Sequence, residues 1–404
     1  VIPVEDAQAR ILAAFSPLPA ELVALTDAHG RVLAQDVVAR RTQPPFPAAA
    51  MDGYALRGAD AATVGARLRI VGYAPAGKAY DGVIGPGEAV RIFTGAPVPE
   101  GADTIIIQED AEEADGIVTI REPATFGRHI RREGLDFRGG DTVIAAGTRL
   151  TARHLALAAA ANHPWLRVHR RPRVAILPTG DEVVLPGEPI GRDQIVSSNG
   201  IAIEALVTAA GGIPIQMGVA PDDPAALVAL AQGAAGADLL VTTGGASVGD
   251  HDLIRSALGP SGFTLDFWKI AMRPGKPVVF GRLGTLPLLG LPGNPVSAVV
   301  CSLLVLIPAL ERLQGLPGNG LPIEKALAAV NLPANDRRQD YLRATLSIDS
   351  AGSVLASPLP LQDSSLTAAL AEADALIIRP PFAESVPAGG PIQIIRLGTG
   401  TLPI

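Results

Sequence analysis

ADLLVTTGGASVGDHD, residues 237–252, decides how this chain is read. The apolar run ADLLVTT ends at Gly244 and Gly245, so a buried strand closes in a tight glycine turn. Such turns bare backbone N–H groups that cradle phosphate. Asp250 and Asp252 follow within a few residues, and two carboxylates repel a phosphate unless a cation stands between them. Mg²⁺ resolves the conflict, because it takes oxygen ligands, often one or two carboxylates plus substrate phosphates. On that reading the loop through Gly244, Gly245, Ser247 and Gly249 holds part of a phosphate. Asp252 is the first choice of metal ligand and Asp250 the second. His251 reads as a solvated loop residue, since no His or Cys companion has zinc-ligand spacing.

Outward from this loop, strands and helices alternate. RVAILPTG is a strand and turn, GIAIEALVTAAGG a helix, IPIQMGVAPD a strand and PAALVALAQGAAG a helix. SALGPSG closes a further helix, and KPVVFGRLGTLPLLGLPGNP leads into an apolar helix over 296–314. This alternation predicts a parallel sheet wound on both sides, with ligands beyond the carboxyl ends of its strands. PTGDE (178–182), APDD (220–223), the glycine loop and LPGNP (291–295) then share one edge. PTGDEV reads two ways. It is an ordinary turn with a capping Asp181, or a phosphate turn at Thr179 and Gly180 with Asp181 or Glu182 meeting a metal or a ligand hydroxyl. Asn199 of SSNG is explained as a helix cap, and APDDP is another cap with Asp222 at the sheet edge. In GLPGNPVSA (290–298), Gly293, Asn294 and Pro295 open a helix that Asn294 or Ser297 can cap, its N-terminus facing an anion. KIAMRPGKPVVFG (269–281) gathers Lys269, Arg273 and Lys276, the best candidate for an anion site.

The flanks differ in texture. Ile11, Leu12 and Phe15 lie on one face of a first helix, and from about 41 to 145 short β-type runs (RLRIVGY, EAVRIFTG, TIIIQED, GIVTIRE) describe a small all-β domain. TARHLALAAAANH is a helix that ends before Pro164. After QGLPGNGLP (314–322) the runs EKALAAVNL, YLRATLSI, DALIIRPP and PIQIIRL form another β domain. With 404 residues the chain carries two to four domains. Its formal charge of −7 excludes general affinity for nucleic acid, so an anionic substrate needs a local basic cluster. The single Cys301 cannot form an intrachain disulfide and points to a reducing cytoplasm. VIPVEDAQARILAAF shows no signal-peptide pattern, and AVVCSLLVLIPAL (298–310), broken by Pro308, reads as a buried helix and not a membrane span.

PFPAAAMDGYAL, RIFTGAPVPEGADTIIIQED, PTGDEV, TTGGASVGDHD, KIAMRPGKP and LPGNPVSA, in this order, resemble the molybdopterin molybdenumtransferase family, MoeA in bacteria and the gephyrin E domain in animals. The resemblance spans about 5–400. It implies a multidomain α/β plus β homodimer with four parts: an elongated N-terminal helical/β domain (1–45 plus 146–171), an inserted β domain (46–145), a doubly wound MogA/MoaB-like molybdopterin-binding α/β domain (172–316) and a C-terminal β-barrel-like domain (317–404). The implied reaction inserts molybdenum from molybdate into adenylylated molybdopterin with Mg²⁺ and releases AMP. A molybdopterin adenylyltransferase acts upstream and molybdoenzyme acceptors downstream. The implied catalytic residues are Asp52, Thr94, Glu182, Asp222, Asp252, Lys269 and Arg273, with Asp52 and Thr94 reaching the other subunit's pocket. Arg273 stands where the family usually has Lys, and a guanidinium fork is not a lysine point charge. Arg343 of RQDYLRATL and Ser364 of LQDSS also resemble site positions. A non-catalytic scaffold, the related adenylylation step and tungstate in place of molybdate are the competing readings.

Overall fold

The computed structural model of the chain describes residues 1–244 and 253–398. Helix α1 (Val4–Ala13) leads into β1 (Ala20–Ala24), which pairs antiparallel with β8 (Trp165–His169), just after helix α2 (Ala152–Ala160). Between them a six-stranded sheet is built from β2 (Gly53–Leu56), β3 (Arg67–Ala74), β4 (Glu88–Ile92), β5 (Thr104–Ile107), β6 (Ala111–Ala114) and β7 (Ile117–Ile120), ordered β5-β2-β4-β3-β7-β6. The expected strand runs of the insertion all appear. A discontinuous core of Leu33, Val37, Ile144, Leu150, Leu166 and Val168 joins the stretches on either side of it.

The α/β layer is a six-stranded sheet ordered β10-β9-β11-β14-β13-β12. Its strands are β9 (Arg173–Pro178), β10 (Ile213–Gln216), β11 (Leu239–Thr243), β12 (Phe263–Trp268), β13 (Val279–Leu283) and β14 (Leu286–Leu291). β10, β9, β11 and β14 are parallel, as expected. The sheet is nevertheless mixed, because β13 runs antiparallel to both neighbours. Only Gly284 and Thr285 separate β13 from β14, and so short a turn can join antiparallel strands only. β12 then runs with β14, so five strands end on the same edge. Val174, Ile176, Leu239 and Val241 face one apolar core, while Ala175, Leu177 and Leu240 face the other. Helices α3 (Asn199–Ala209), α4 (Pro224–Gly233), α5 (Leu253–Leu258) and α6 (Pro295–Leu313) provide the connections and the cover.

One expectation changes here. Val4, Ala7 and Ile11 of the first helix, with Phe15 just beyond it, pack into the core of the α/β layer. Helix α6 is not broken at Pro308. It runs 19 residues, long and apolar enough to cross a membrane, with 83% of its apolar window buried inside the protein. A π-turn at Ser302–Leu306 widens the helix just before Pro308 and relieves the clash that the ring imposes on the previous turn. The carbonyl of Leu304, which loses its helical partner at Pro308, accepts 2.8 Å from Gln8 Nε2 of α1. The first helix thus completes the hydrogen bonding of the last core helix.

The tail closes into a barrel of β15 (Ile323–Ala328), β16 (Gln339–Ile348), β17 (Val354–Pro358), β18 (Ala375–Arg379) and β19 (Pro391–Arg396), in ring order β16-β17-β15-β19-β18. Strand β17 was not among the expected runs, since VLASP carries few β-branched residues. A two-residue strand, Met272–Arg273, leaves the α/β layer to pair parallel with β16. Removing the Gln8 amide strands the Leu304 carbonyl, so Gln8→Ala is expected to cost about 0.5–1.5 kcal/mol. Urea unfolding checks this, and an unchanged midpoint would show that Leu304 needs no partner.

Candidate functional site

Beyond β9 the chain turns through α3 to β10 on one side of the sheet. Beyond β11 it turns through α5 to β12 on the other. The strand ends diverge there, and in open α/β sheets such a crevice binds ligands. It holds a cavity of about 420 Å³ lined by Thr179, Glu182, Asn199, Gly244, Gly293 and Asn294, among others. The Thr179 N–H donates to the Thr243 carbonyl at 2.9 Å, fixing the two strand ends to each other. Gly244 sits at φ +90°, and a Cβ there would fall 2.5 Å from the Thr179 carbonyl oxygen. A glycine is therefore required for both reasons. Gly180, at φ +138°, would press a Cβ to 2.6 Å from the Glu182 carboxylate.

Asn199 is not the cap that the sequence implies. Its side chain makes no capping bond; Nδ2 donates to Thr243 Oγ1 at 2.8 Å and to the Gly293 carbonyl at 2.7 Å. It ties the end of β11 to the turn after β14. Among the described residues its Oδ1 and the Thr179 Oγ1 are buried without a partner, and both residues line the cavity. Buried polar atoms are nearly always paired, so a leftover atom beside a cavity is a candidate contact for a ligand group.

The turn into α6 is also held differently from expectation. Asn294 stands at the N-cap of the helix but its side chain makes no capping bond, and Ser297 is buried. The Val296 N–H donates to the Ser364 carbonyl at 3.0 Å, and Asn294 Nδ2 donates to Ser364 Oγ at 2.8 Å. Pro295 opens the helix, and Ser365 and Thr367 of the tail add a wall of the cavity that the sequence did not assign. Ser364 thus contacts the turn that opens α6. Arg343 does not reach the cavity. It is buried and spends its guanidinium on Gln362 Oε1 and on the carbonyls of Leu361, Asp363 and Leu366, which shapes the loop carrying Ser364.

The basic loop leaves the same edge after β12, but Lys269, Arg273 and Lys276 do not line the cavity. Lys269 Nζ lies 3.7 Å from the Trp268 ring centroid. Arg273 donates to both carboxylate oxygens of Asp340 on β16. Asp222 stays at the edge, where its N–H donates to Asp181 Oδ1 at 2.9 Å, while Asp223 caps α4 through Ala226 N. Gly245, Ser247, Gly249, Asp250, His251 and Asp252 lie outside the described residues.

A second assembly lies in the insertion. Asp52 Oδ1 accepts from the Thr94 N–H at 2.7 Å and from its hydroxyl at 2.8 Å. These bonds, the backbone one first, hold the Asp52 carboxyl below its ordinary range, and Arg91 adds positive charge nearby. Arg91 itself lies over Tyr54 and Phe93. The two residues paired by motif resemblance are therefore in contact, on a surface separate from the cavity lining.

Three family profiles match the chain in order. They are the MoeA N-terminal region (domain I and II) over residues 2–162, the probable molybdopterin binding domain over 175–312, and the MoeA C-terminal region (domain IV) over 325–397. The chain is 38% identical over 384 residues to molybdopterin molybdenumtransferase 2 of Mycobacterium tuberculosis, covering 92% of this chain and 94% of that protein. It is 34% identical over 381 residues to the molybdopterin molybdenumtransferase of Haemophilus influenzae, covering 94% of each. Among solved structures, a molybdopterin biosynthesis MoeA protein from Pyrococcus horikoshii superposes with a TM-score of 0.84 at 32% identity, covering 98% of this chain and 99% of that one.

Two substitutions probe these assemblies. Thr94→Val removes the hydroxyl but keeps the backbone donor, so the Asp52 pKa should rise part of the way to its ordinary value in an NMR titration. A depressed pKa means a contribution present above the ordinary value and lost as pH falls through the folded one; the variant moves that loss to higher pH. Asn199→Ala cuts both ties between β11 and the α6 turn and should destabilise by about 1–3 kcal/mol in urea unfolding.

Proposed function

The chain belongs to the molybdopterin molybdenumtransferase (MoeA) family, which inserts molybdenum into molybdopterin to form molybdenum cofactor, and from that premise we propose that its substrate is adenylylated molybdopterin, seated in the crevice between β9 and β11. The observation that carries this reading is that two residues lining one cavity, Thr179 and Asn199, each hold a buried polar atom, Oγ1 and Oδ1, without a partner among the described residues. A polyhydroxylated, phosphate-bearing ligand offers both donors and acceptors to such atoms. Thr179 and the amide of Asn199 orient the substrate, and the 364–367 segment closes the side nearest α6. Water adds to the adenylyl phosphorus, the P–O bond to the molybdopterin phosphate breaks and AMP leaves carrying the water oxygen. The two dithiolene thiols then give up their protons and bind the molybdenum of molybdate, one oxo group leaving as water with no change of oxidation state.

Mg²⁺ is the cofactor this reading calls for. Among the described residues no three acidic, histidine or cysteine side chains converge, and the proposed ligands Asp252 and Asp250 lie outside them. The donors at the described edge, Thr179, Asp181, Glu182 and Asp222, are all hard oxygen groups of the kind Mg²⁺ prefers. When bound, the ion draws charge from the phosphate and makes it easier to attack.

The Asp52–Thr94 pair fits a homodimer in which the insertion of one subunit completes the pocket of the other. A cytoplasmic site of action, an adenylyltransferase as supplier and molybdoenzymes as acceptors follow from the same reading.

The purified protein should release AMP from adenylylated molybdopterin with Mg²⁺ and molybdate, and both Asp52→Ala and Glu182→Ala should lower that rate by about 100-fold or more. Mixing the two inactive variants after subunit exchange should restore about a quarter of wild-type sites, because half of the dimers then carry one intact pocket. No restoration would place both residues in one subunit's site. A wild type that binds the substrate and leaves it intact would favour the scaffold.

A further inference from the structure

The insertion holds a cation that the sequence did not single out. Arg91 stands on β4, opposite Tyr54 of β2. Its guanidinium carbon lies 4.9 Å from the centre of the Tyr54 ring and 5.1 Å from that of Phe93, so two aromatic rings confine it. From that seat Nη1 donates to the Gly53 carbonyl at 3.3 Å and Nη2 to Gln108 Oε1 at 2.7 Å. Gln108 in turn donates its backbone N–H to the Asp52 carbonyl at 3.2 Å. One side chain thus joins β4, the start of β2 and the turn that ends β5, at the corner where Asp52 stands.

Asp52 uses one oxygen on Thr94 and keeps the other. Oδ1 accepts both Thr94 bonds, and among the described residues Oδ2 receives no hydrogen bond. Among the same residues Arg91 forms no ion pair, so its charge is not spent on a carboxylate in contact. The Thr94 bonds hold the Asp52 carboxyl below its ordinary range, and Arg91 adds to them from a distance. An ionised carboxylate accepts hydrogen bonds and gives none, so a group that meets Oδ2 must be a donor or a cation. A guanidinium in direct contact would fill that oxygen. The seat between the two rings lets Arg91 supply its field without doing so.

We propose that Arg91 is a positioning residue for Asp52: through Gly53 and Gln108 it fixes the corner that carries the carboxylate and leaves Oδ2 free to receive a hydrogen-bond donor of the substrate. The fork is what the role needs, because it reaches two acceptors on different strands at once, and a lysine point charge does not. A carboxylate set in advance costs less to bring into reacting geometry, so loosening it lowers kcat more than it raises KM. This inference rests on the reading that Asp52 serves the release of AMP.

The test is a double-mutant cycle on the full-length protein with Arg91→Lys, which keeps the charge and loses the fork, Gln108→Leu, which removes the acceptor, and the double variant. AMP release from adenylylated molybdopterin is read as kcat and KM separately. Each single change should lower kcat about tenfold with KM within about twofold, and the double variant should be no worse than the poorer single one, because both changes break the same link. A wild-type kcat in Arg91→Lys means that charge alone suffices, and the positioning role is wrong. Additive losses contradict it equally. Hydrogen exchange of the substrate-free protein separates this inference from the proposed reaction. Both single changes should lower the protection of the Thr94 and Gln108 amides about tenfold, while β6 and β7 keep theirs. Loss across the whole insertion means a merely structural residue and overturns the inference, as does unchanged protection at those two amides. A wild type without AMP release, whose variants still lose protection at that corner alone, overturns only the reaction.

Discussion

Everything at the sheet edge depends on the burial of two adjacent parallel strands on both faces. Val174 and Ile176 of β9 and Leu239 and Val241 of β11 point into one core, and Ala175, Leu177 and Leu240 point into the other. A one-residue slip would exchange the two sets, so the register is fixed by packing. With the register fixed, Pro178 pairs with Thr243, and the Thr179 and Gly244 turns must meet. The absence of a side chain at Gly244 permits that approach. The crevice follows from the diverging connections after these strands, and it requires no residue chosen for binding.

The chain adds its other parts around this edge by a small number of directed polar contacts. Asn199 reaches from α3 to both Thr243 and the turn before α6. The barrel reaches in twice, through Ser364 at the N-terminus of α6 and through Asp340 at the basic loop. In each case a buried or half-buried side chain of the barrel sets a piece of the α/β edge. Arg343 shows the cost of that design. A buried guanidinium must have its donors satisfied, and the carbonyls of Leu361, Asp363 and Leu366 do this, tying the loop to β16.

The layout was legible where it rests on local periodicity. The strands of the insertion, the α/β alternation, four of the five barrel strands and the edge shared by PTGDE, APDD and LPGNP can all be read from runs of apolar residues and the turns between them. Motif resemblance singles out Asp52 and Thr94, but nothing in the sequence shows that they touch. What was not legible depends on long-range pairing. The ion pair of Arg273 with Asp340, 67 positions on, is one such contact. Asn199 before an apolar run looks like a cap, and only the register of β11 and β14 shows what its amide ties together. Pro308 signals a helix break that the π-turn and the distant Gln8 cancel. The placement of α1 in the α/β core is of the same kind, since an amphipathic helix does not name the surface it will cover.

The central claim is that the crevice between β9 and β11 is where the substrate is held. Hydrogen exchange of the full-length protein, with and without adenylylated molybdopterin, tests it most directly. The account predicts new protection at 178–184, 195–199, 243–244 and 293–297. Protection confined to the barrel or to the insertion, with these turns unchanged, would contradict it.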